Sequence, residues 1–134
     1  WLAFASNAFN TLVPFYAAVD ETPEYLANTT KEVSTGNFYW SARMIAAMAD
    51  ASFAKSAIHI ERYQNAVQAK GHALLRKYDA EAAKITDPAE SRRLLEKANR
   101  EIAKMLKEET GNTLDHVLFE LSNSMKNAFS RSDA

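Results

Sequence analysis

The chain has 134 residues with 16 basic against 17 acidic side chains, three glycines, three prolines and no cysteine. That length suits one domain with a real core, and the shortage of glycine and proline beside abundant alanine, leucine, glutamate and lysine favours helix. A net charge of −1 gives no electrostatic argument for nucleic acid or an anionic membrane, and the missing cysteine excludes disulfides, thiolate metal sites and cysteine catalysis by these residues.

No uninterrupted apolar run approaches the roughly 18 residues a membrane helix needs, and no basic segment leads into a short apolar run of the secretory kind. A cytoplasmic protein is expected. The charge distribution is uneven: Trp1 to Val19 carries no charge and 14 of its 19 residues are apolar, whereas 15 of the 31 residues from Asp79 to Glu109 are charged. The opening Trp1-Leu2-Ala3-Phe4 is more apolar than chain ends usually are, so the expectation is a start inside a larger protein.

Residues 1–33 form a first zone, an apolar strand-and-loop segment. Trp1 to Ala5 is a candidate short buried strand, although five apolar residues do not separate strand from helix by period. Pro14 and Pro23 interrupt any long helix, and Thr22-Pro23-Glu24 suits a turn or a first helical turn.

Residues 34–134 form a helical second part. Several residues of Ser34-Thr35-Gly36-Asn37 can cap a helix. Phe38, Ala42, Ile45, Ala49 and Phe53 then recur at helical spacing. Ile60, Tyr63, Val67, Leu74 and Tyr78 continue the stripe, with Gly71 inside it. Gly71 costs about 1 kcal/mol of helix propensity relative to alanine and marks either a close approach or a break, with helix expected on both sides.

Asp87-Pro88-Ala89-Glu90 is the sharpest local signal. Asp87 can accept free backbone N–H groups, Pro88 suits the first helical position, and Glu90 completes a capping box. Leu95, Ala98, Ile102 and Met105 follow as an inward stripe, with Arg92, Arg93, Glu96, Lys97 and Arg100 outward. Leu114, Val117, Leu118, Leu121, Met125 and Phe129 extend the stripe. Gly111-Asn112 either separates two helices or lies within one. The fold expected is mainly α: a long-helix hairpin or three-helix bundle preceded by a short strand-and-loop segment.

Local chemistry is sparse. His59, His72 and His116 lack the paired spacing of a zinc helix. His116 and Glu120 share a helix face, an arrangement that suits a solvated or hydrogen-bonded pair better than a metal site. No Gly-x-Ser-x-Gly elbow, supported Ser-x-x-Lys or glycine-rich phosphate cradle is present, and no cofactor or metal is expected. On pattern alone, the spacing of Ile60, Val67 and Leu74 suits a helical protein-interaction module. The apolar loops of the first zone argue against a free-standing bundle.

The motifs in order do point to a family. Trp1-Leu2-Ala3-Phe4-Ala5, then Asn10-Thr11-Leu12-Val13-Pro14-Phe15-Tyr16, then Asp20-Glu21-Thr22-Pro23-Glu24-Tyr25 resemble bacterial dipeptidases of the dipeptidase A type, common in lactic acid bacteria. Ser34 to Arg43 and the ending Met125 to Ala134 extend the resemblance along the whole chain. It implies the C-terminal part of an αββα N-terminal nucleophile hydrolase. Such an enzyme cleaves dipeptides with a cysteine at its mature N-terminus, through an acyl-enzyme that water hydrolyses. Trp1 offers no nucleophile in its place, so this chain alone is expected to be inactive, with no catalytic residue of its own.

Its implied partners are the N-terminal catalytic domain, a dipeptide substrate and, through exposed apolar surface, a second copy of itself. No nucleic acid or membrane is among them. Trp1, Leu2, Phe4, Phe9, Leu12, Val13, Phe15 and Tyr16 are expected to pack on the catalytic domain. The loop after the first strand is a usual place for binding residues. Asn7 and Asn10 are candidates to hydrogen-bond a peptide carbonyl, and Tyr16 to line an apolar side-chain pocket.

Overall fold

In the computed structural model, residues 2–4, 11–27 and 31–132 are described, with 2–4 and 125–132 as backbone only. The elements are β1 (Leu2–Phe4), β2 (Thr11–Val13), α1 (Glu24–Ala27), α2 (Phe38–Ala51), α3 (Phe53–Ala82) and α4 (Pro88–Ser132). The chain is mainly helical, as its composition predicts. β1 and β2 pair antiparallel, Leu2 opposite Val13 and Phe4 opposite Thr11.

Each helix start has a local cause. Asn37 is extended, and its side-chain oxygen accepts the Trp40 N–H at 3.1 Å, which satisfies one of the free donors of the first turn of α2. Asp87 opens α4 as its sequence predicts: Oδ2 accepts from the Glu90 N–H at 3.3 Å, and its carbonyl accepts from Ser91 at 2.9 Å. Pro88 occupies the first helical position.

The break between α2 and α3 falls at Ser52, where the backbone turns to φ −155° and ψ 73°. Gly71 is buried inside α3, and Gly111 lies inside α4; helix runs through both. No glycine or proline lies beside Ser52 to announce the break. The break folds α2 back, so that Phe38, Ala42, Ile45 and Ala49 enter one core with Ile60, Tyr63, Val67, Ile102, Met105 and Leu106. Phe53, expected on the inward stripe, is 60% exposed because the stripe restarts in a new direction after Ser52.

α3 and α4 form the long antiparallel hairpin. At about 1.5 Å per residue they span roughly 45 and 68 Å. Cross-helix pairs fix the register along one edge: Lys77 with Glu101, Lys70 with Glu109, His59 with Glu120, and Lys55 with Ser124. An exposed pair such as Lys77 with Glu101 contributes little to stability by itself. Leu114 and Val117 are buried, but Leu118, predicted inward, is 51% exposed because it is turned away from α3 on an unbroken helix. Met125 and Phe129 of that stripe lie outside the described side chains.

The first zone packs partly on these helices rather than wholly outward. Val13 and Tyr25 are buried in the common core, with Phe15, Tyr16 and Leu26 against it. Leu12, the outward residue of β2, stays 44% exposed. The side chains of Trp1, Leu2, Phe4 and Phe9 lie outside the described residues.

Candidate functional site

The loop following β2 is tied to the long hairpin at several points. Tyr16 is fixed by both main chain and side chain. Its N–H donates to Asn99 Oδ1 at 2.9 Å, and its carbonyl accepts from Asn99 Nδ2 at 2.9 Å. Its hydroxyl donates to Asp79 Oδ1 at 2.7 Å, bridging to α3. Burial, and then the bond and charge of Asp79, push the Tyr16 hydroxyl above its ordinary pKa, so it stays a neutral donor.

Further along the loop, Arg92 reaches Asp20 at 3.2 Å and Arg100 reaches both carboxylate oxygens of Glu21 at 2.9 Å. Arg92, Asn99 and Arg100 all project from α4, so one helix holds residues 16, 20 and 21. Between loop and helix lies a cavity of about 400 Å³, with Phe15, Tyr16, Val19, Pro23, Leu26 and Asn99 in its wall. Apolar walls with a few fixed polar groups are what a small-molecule pocket requires.

The sequence-predicted site residues divide accordingly. Tyr16 lines this cavity with its ring while its hydroxyl is committed to Asp79. Asn7 and Asn10 lie outside the described residues. Asn99 and Asp79 were not singled out by sequence reasoning. One signal was available for Asn99: it is a polar residue beside Ala98 on the inward stripe of α4, and it is only 4% exposed. A buried amide of that kind must find partners.

A second cluster lies at the other end of the hairpin. His59 Nε2 is 3.1 Å from Glu120 Oε1, close but not aligned as a hydrogen bond. The His59 and His116 rings stack with centroids 5.5 Å apart. His116 Nδ1 lies 2.6 Å from the Asn112 carbonyl, which assigns that nitrogen as the donor. A cavity of about 250 Å³ opens beside them, bordered by Arg62 and Thr113. The pair His116 and Glu120 thus acquires His59 as a neighbour, yet no group of three His, Cys, Asp or Glu among the described residues is arranged to hold a metal ion. The cluster reads as a polar link between α3 and α4.

Two tyrosines complete the interior chemistry. Tyr63 is buried, its hydroxyl accepting from Thr110 Oγ1 at 3.3 Å, and burial raises its pKa. Tyr78 is buried beside Glu101; burial and that carboxylate push it up to about 12. In return the nearby Tyr78 hydroxyl, although it has no aligned hydrogen-bond partner, and Lys77 hold Glu101 below the usual carboxylate range. No helix among the described residues is long and apolar enough to cross a membrane.

Comparison with known proteins places the sequence. Residues 1–66 match peptidase family C69. The chain is 37% identical over 170 aligned residues to a Bifidobacterium longum protein named dipeptidase, covering 99% of this chain and 32% of that protein. It is 40% identical over 135 residues to a Streptococcus pyogenes protein named probable dipeptidase A, covering 99% of this chain and 28% of the relative. A Lactococcus lactis protein named probable dipeptidase B is 38% identical over 53 residues, 40% of this chain and 11% of the relative. The chain therefore spans only about a third of the length of the first of these relatives and less of the others. In sequence it is similar to a C-terminal part of bacterial dipeptidases, and its residues 1–66 match peptidase family C69.

Proposed function

We propose that this chain is the C-terminal structural part of a cytoplasmic dipeptide hydrolase whose nucleophile is a cysteine outside these residues. The observation that carries the reading is the 37–40% identity to dipeptidases along 99% of a chain that has no cysteine itself. The reaction is thiol acyl transfer. The α-amino group beside the cysteine takes the thiol proton, the thiolate attacks the peptide carbonyl, and the amine of the second residue leaves with that proton. Water then hydrolyses the thioester, releasing the first residue as a free carboxylate and restoring the thiol.

In this reading, β1 and β2 continue a sheet of the parent αββα core, and α2 to α4 form its outer helical part. The segment after β1 and the loop after β2 supply pocket wall. Asn7 and Asn10 hydrogen-bond peptide carbonyls, and the Tyr16 ring lines the side-chain pocket. The catalytic domain covers β1 and the exposed Leu12. Phe53 and Phe119, 60% and 68% exposed, give a second copy apolar surface to bury.

The test is dipeptide hydrolysis by the longer protein that carries this chain, beside the 134 residues alone. The longer protein is expected to turn over dipeptides and the chain alone to give only the buffer rate. Turnover by the repurified chain alone refutes the assignment of the nucleophile to another part.

A further inference from the structure

We infer that Asn99 is a positioning residue for substrate: from within α4 it fixes the loop whose Tyr16 faces the dipeptide. The inference rests on the proposal that this loop lines the substrate pocket, but it assigns a role to a residue in a different element, 83 positions away. The side-chain amide of asparagine places one donor and one acceptor side by side. That pair matches the N–H and C=O of a single extended residue, as a neighbouring strand would. Here both bonds to Tyr16 measure 2.9 Å, which also fixes which amide atom is oxygen.

Only glutamine carries the same amide, and its stem is one methylene longer than the 2.9 Å geometry of this site accommodates without a shift. Aspartate keeps the acceptor for the Tyr16 N–H but loses the donor and sets a charge against the Tyr16 carbonyl. Leucine, of similar volume, leaves both backbone groups without partners in a site where Asn99 is 4% exposed. The bond from the Tyr16 hydroxyl to Asp79 holds the outer end of the side chain but not the backbone. The ion pairs of Asp20 and Glu21 are exposed and lie farther along the loop. Asn99 is thus the one buried anchor of the loop backbone among the described contacts. It also forms part of the cavity wall beside Phe15 and Tyr16.

The consequence is a binding effect without a chemical one. A loop released from Asn99 must be ordered again by each substrate molecule, which weakens binding of ground state and transition state alike. In the longer protein that carries this chain, Asn99→Leu should raise KM for dipeptides roughly tenfold with kcat within about twofold. Asn99→Asp, keeping one of the two bonds, should raise it less and serves as the decisive variant where Asn99→Leu does not fold. Thr110→Val removes a buried hydroxyl bonded to Tyr63 on the same helix; it is the stability control and should leave KM unchanged. Tyr16→Ala reports whether the loop meets substrate at all. A raised KM in Tyr16→Ala with unchanged KM in both Asn99 variants overturns the positioning role alone. Unchanged KM in all of them overturns the substrate-facing reading of the loop as well. A loss of active protein in the Asn99 variants that Thr110→Val matches, with KM unmoved, assigns Asn99 to folding only.

Discussion

Leu106 and Leu118 lie on the same helix, and truncating each to alanine should separate a continuous α4 from one broken at Gly111. Leu106 is fully buried in the core, whereas Leu118 is 51% exposed. Leu→Ala removes about three carbons at about 0.8 kcal/mol each, or roughly 2.4 kcal/mol of transfer free energy. At Leu106 the cavity adds to that, for a total of about 3 kcal/mol within the usual range for closed cores. At Leu118 only about half the transfer term applies and solvent fills the space, leaving about 1 kcal/mol. With a urea slope of about 1.5 kcal/mol/M, the two midpoints should lie about 1 M apart, read by helical circular dichroism with slopes unchanged. Because α4 passes through Gly111 without a break, the orientation of Leu118 follows from that of Leu106. A break would free the second segment to turn Leu118 inward, and equal costs for the two variants would refute the continuous helix and the core assignment built on it.

Other outcomes follow from single contacts. Gly111→Ala should stabilise the protein by about 1 kcal/mol in urea denaturation, since an added Cβ meets nothing within 4 Å and alanine is the better helix former; destabilisation would mean that the glycine serves a bend. Asp87→Ala should cost about 1 kcal/mol through loss of the helix cap, measured in the same way. Glu101, held below its ordinary value of 4.5 by Tyr78 and Lys77, binds its proton less tightly in the folded protein than in the unfolded chain. Its contribution is therefore complete above that ordinary value and is lost as pH falls through the depressed folded one. Glu101→Gln should lower stability at neutral pH and converge with the parent as pH falls through the depressed folded value, and a difference that stays constant as pH is lowered would contradict the pairing. Tyr78, raised to about 12 from an ordinary 10.0, gives the converse at high pH. Its contribution is whole below 10.0 and fades toward 12 as the unfolded chain ionises first, so Tyr78→Phe should flatten the alkaline loss of stability.

The helical part was legible in the sequence where local chemistry decides it. Asn37 and Asp87 cap helices because their side chains satisfy donors within the same few residues, and a stripe such as Ala98, Ile102 and Met105 follows from helical period alone. The break at Ser52 was not legible. Gly71 and Gly111 looked like better candidates, but single glycines cost a helix only about 1 kcal/mol, which packing of a long hairpin overrides. Ser52 turns because α2 must fold back over the core, a tertiary cause absent from its neighbours. The same turn explains why Phe53 left the stripe.

The site was less legible still. Tyr16 attracted notice as an aromatic in an apolar loop, but its partners Asp79 and Asn99 are 63 and 83 residues away, beyond any local pattern. The approach of His59 to His116 and Glu120 depends on hairpin register and was equally out of reach. The likeness to dipeptidases was legible through the order of several motifs, not through any single one.

If the nucleophile is a cysteine outside this chain, peptide mapping after alkylation finds it. The longer protein would be treated with iodoacetamide, with and without dipeptide, while hydrolysis is followed. The expected result is one carbamidomethylated cysteine, mapping outside the 134 residues, whose modification runs parallel with the loss of activity and is slowed by substrate. Full hydrolysis after complete alkylation of the thiols would rule out a cysteine nucleophile.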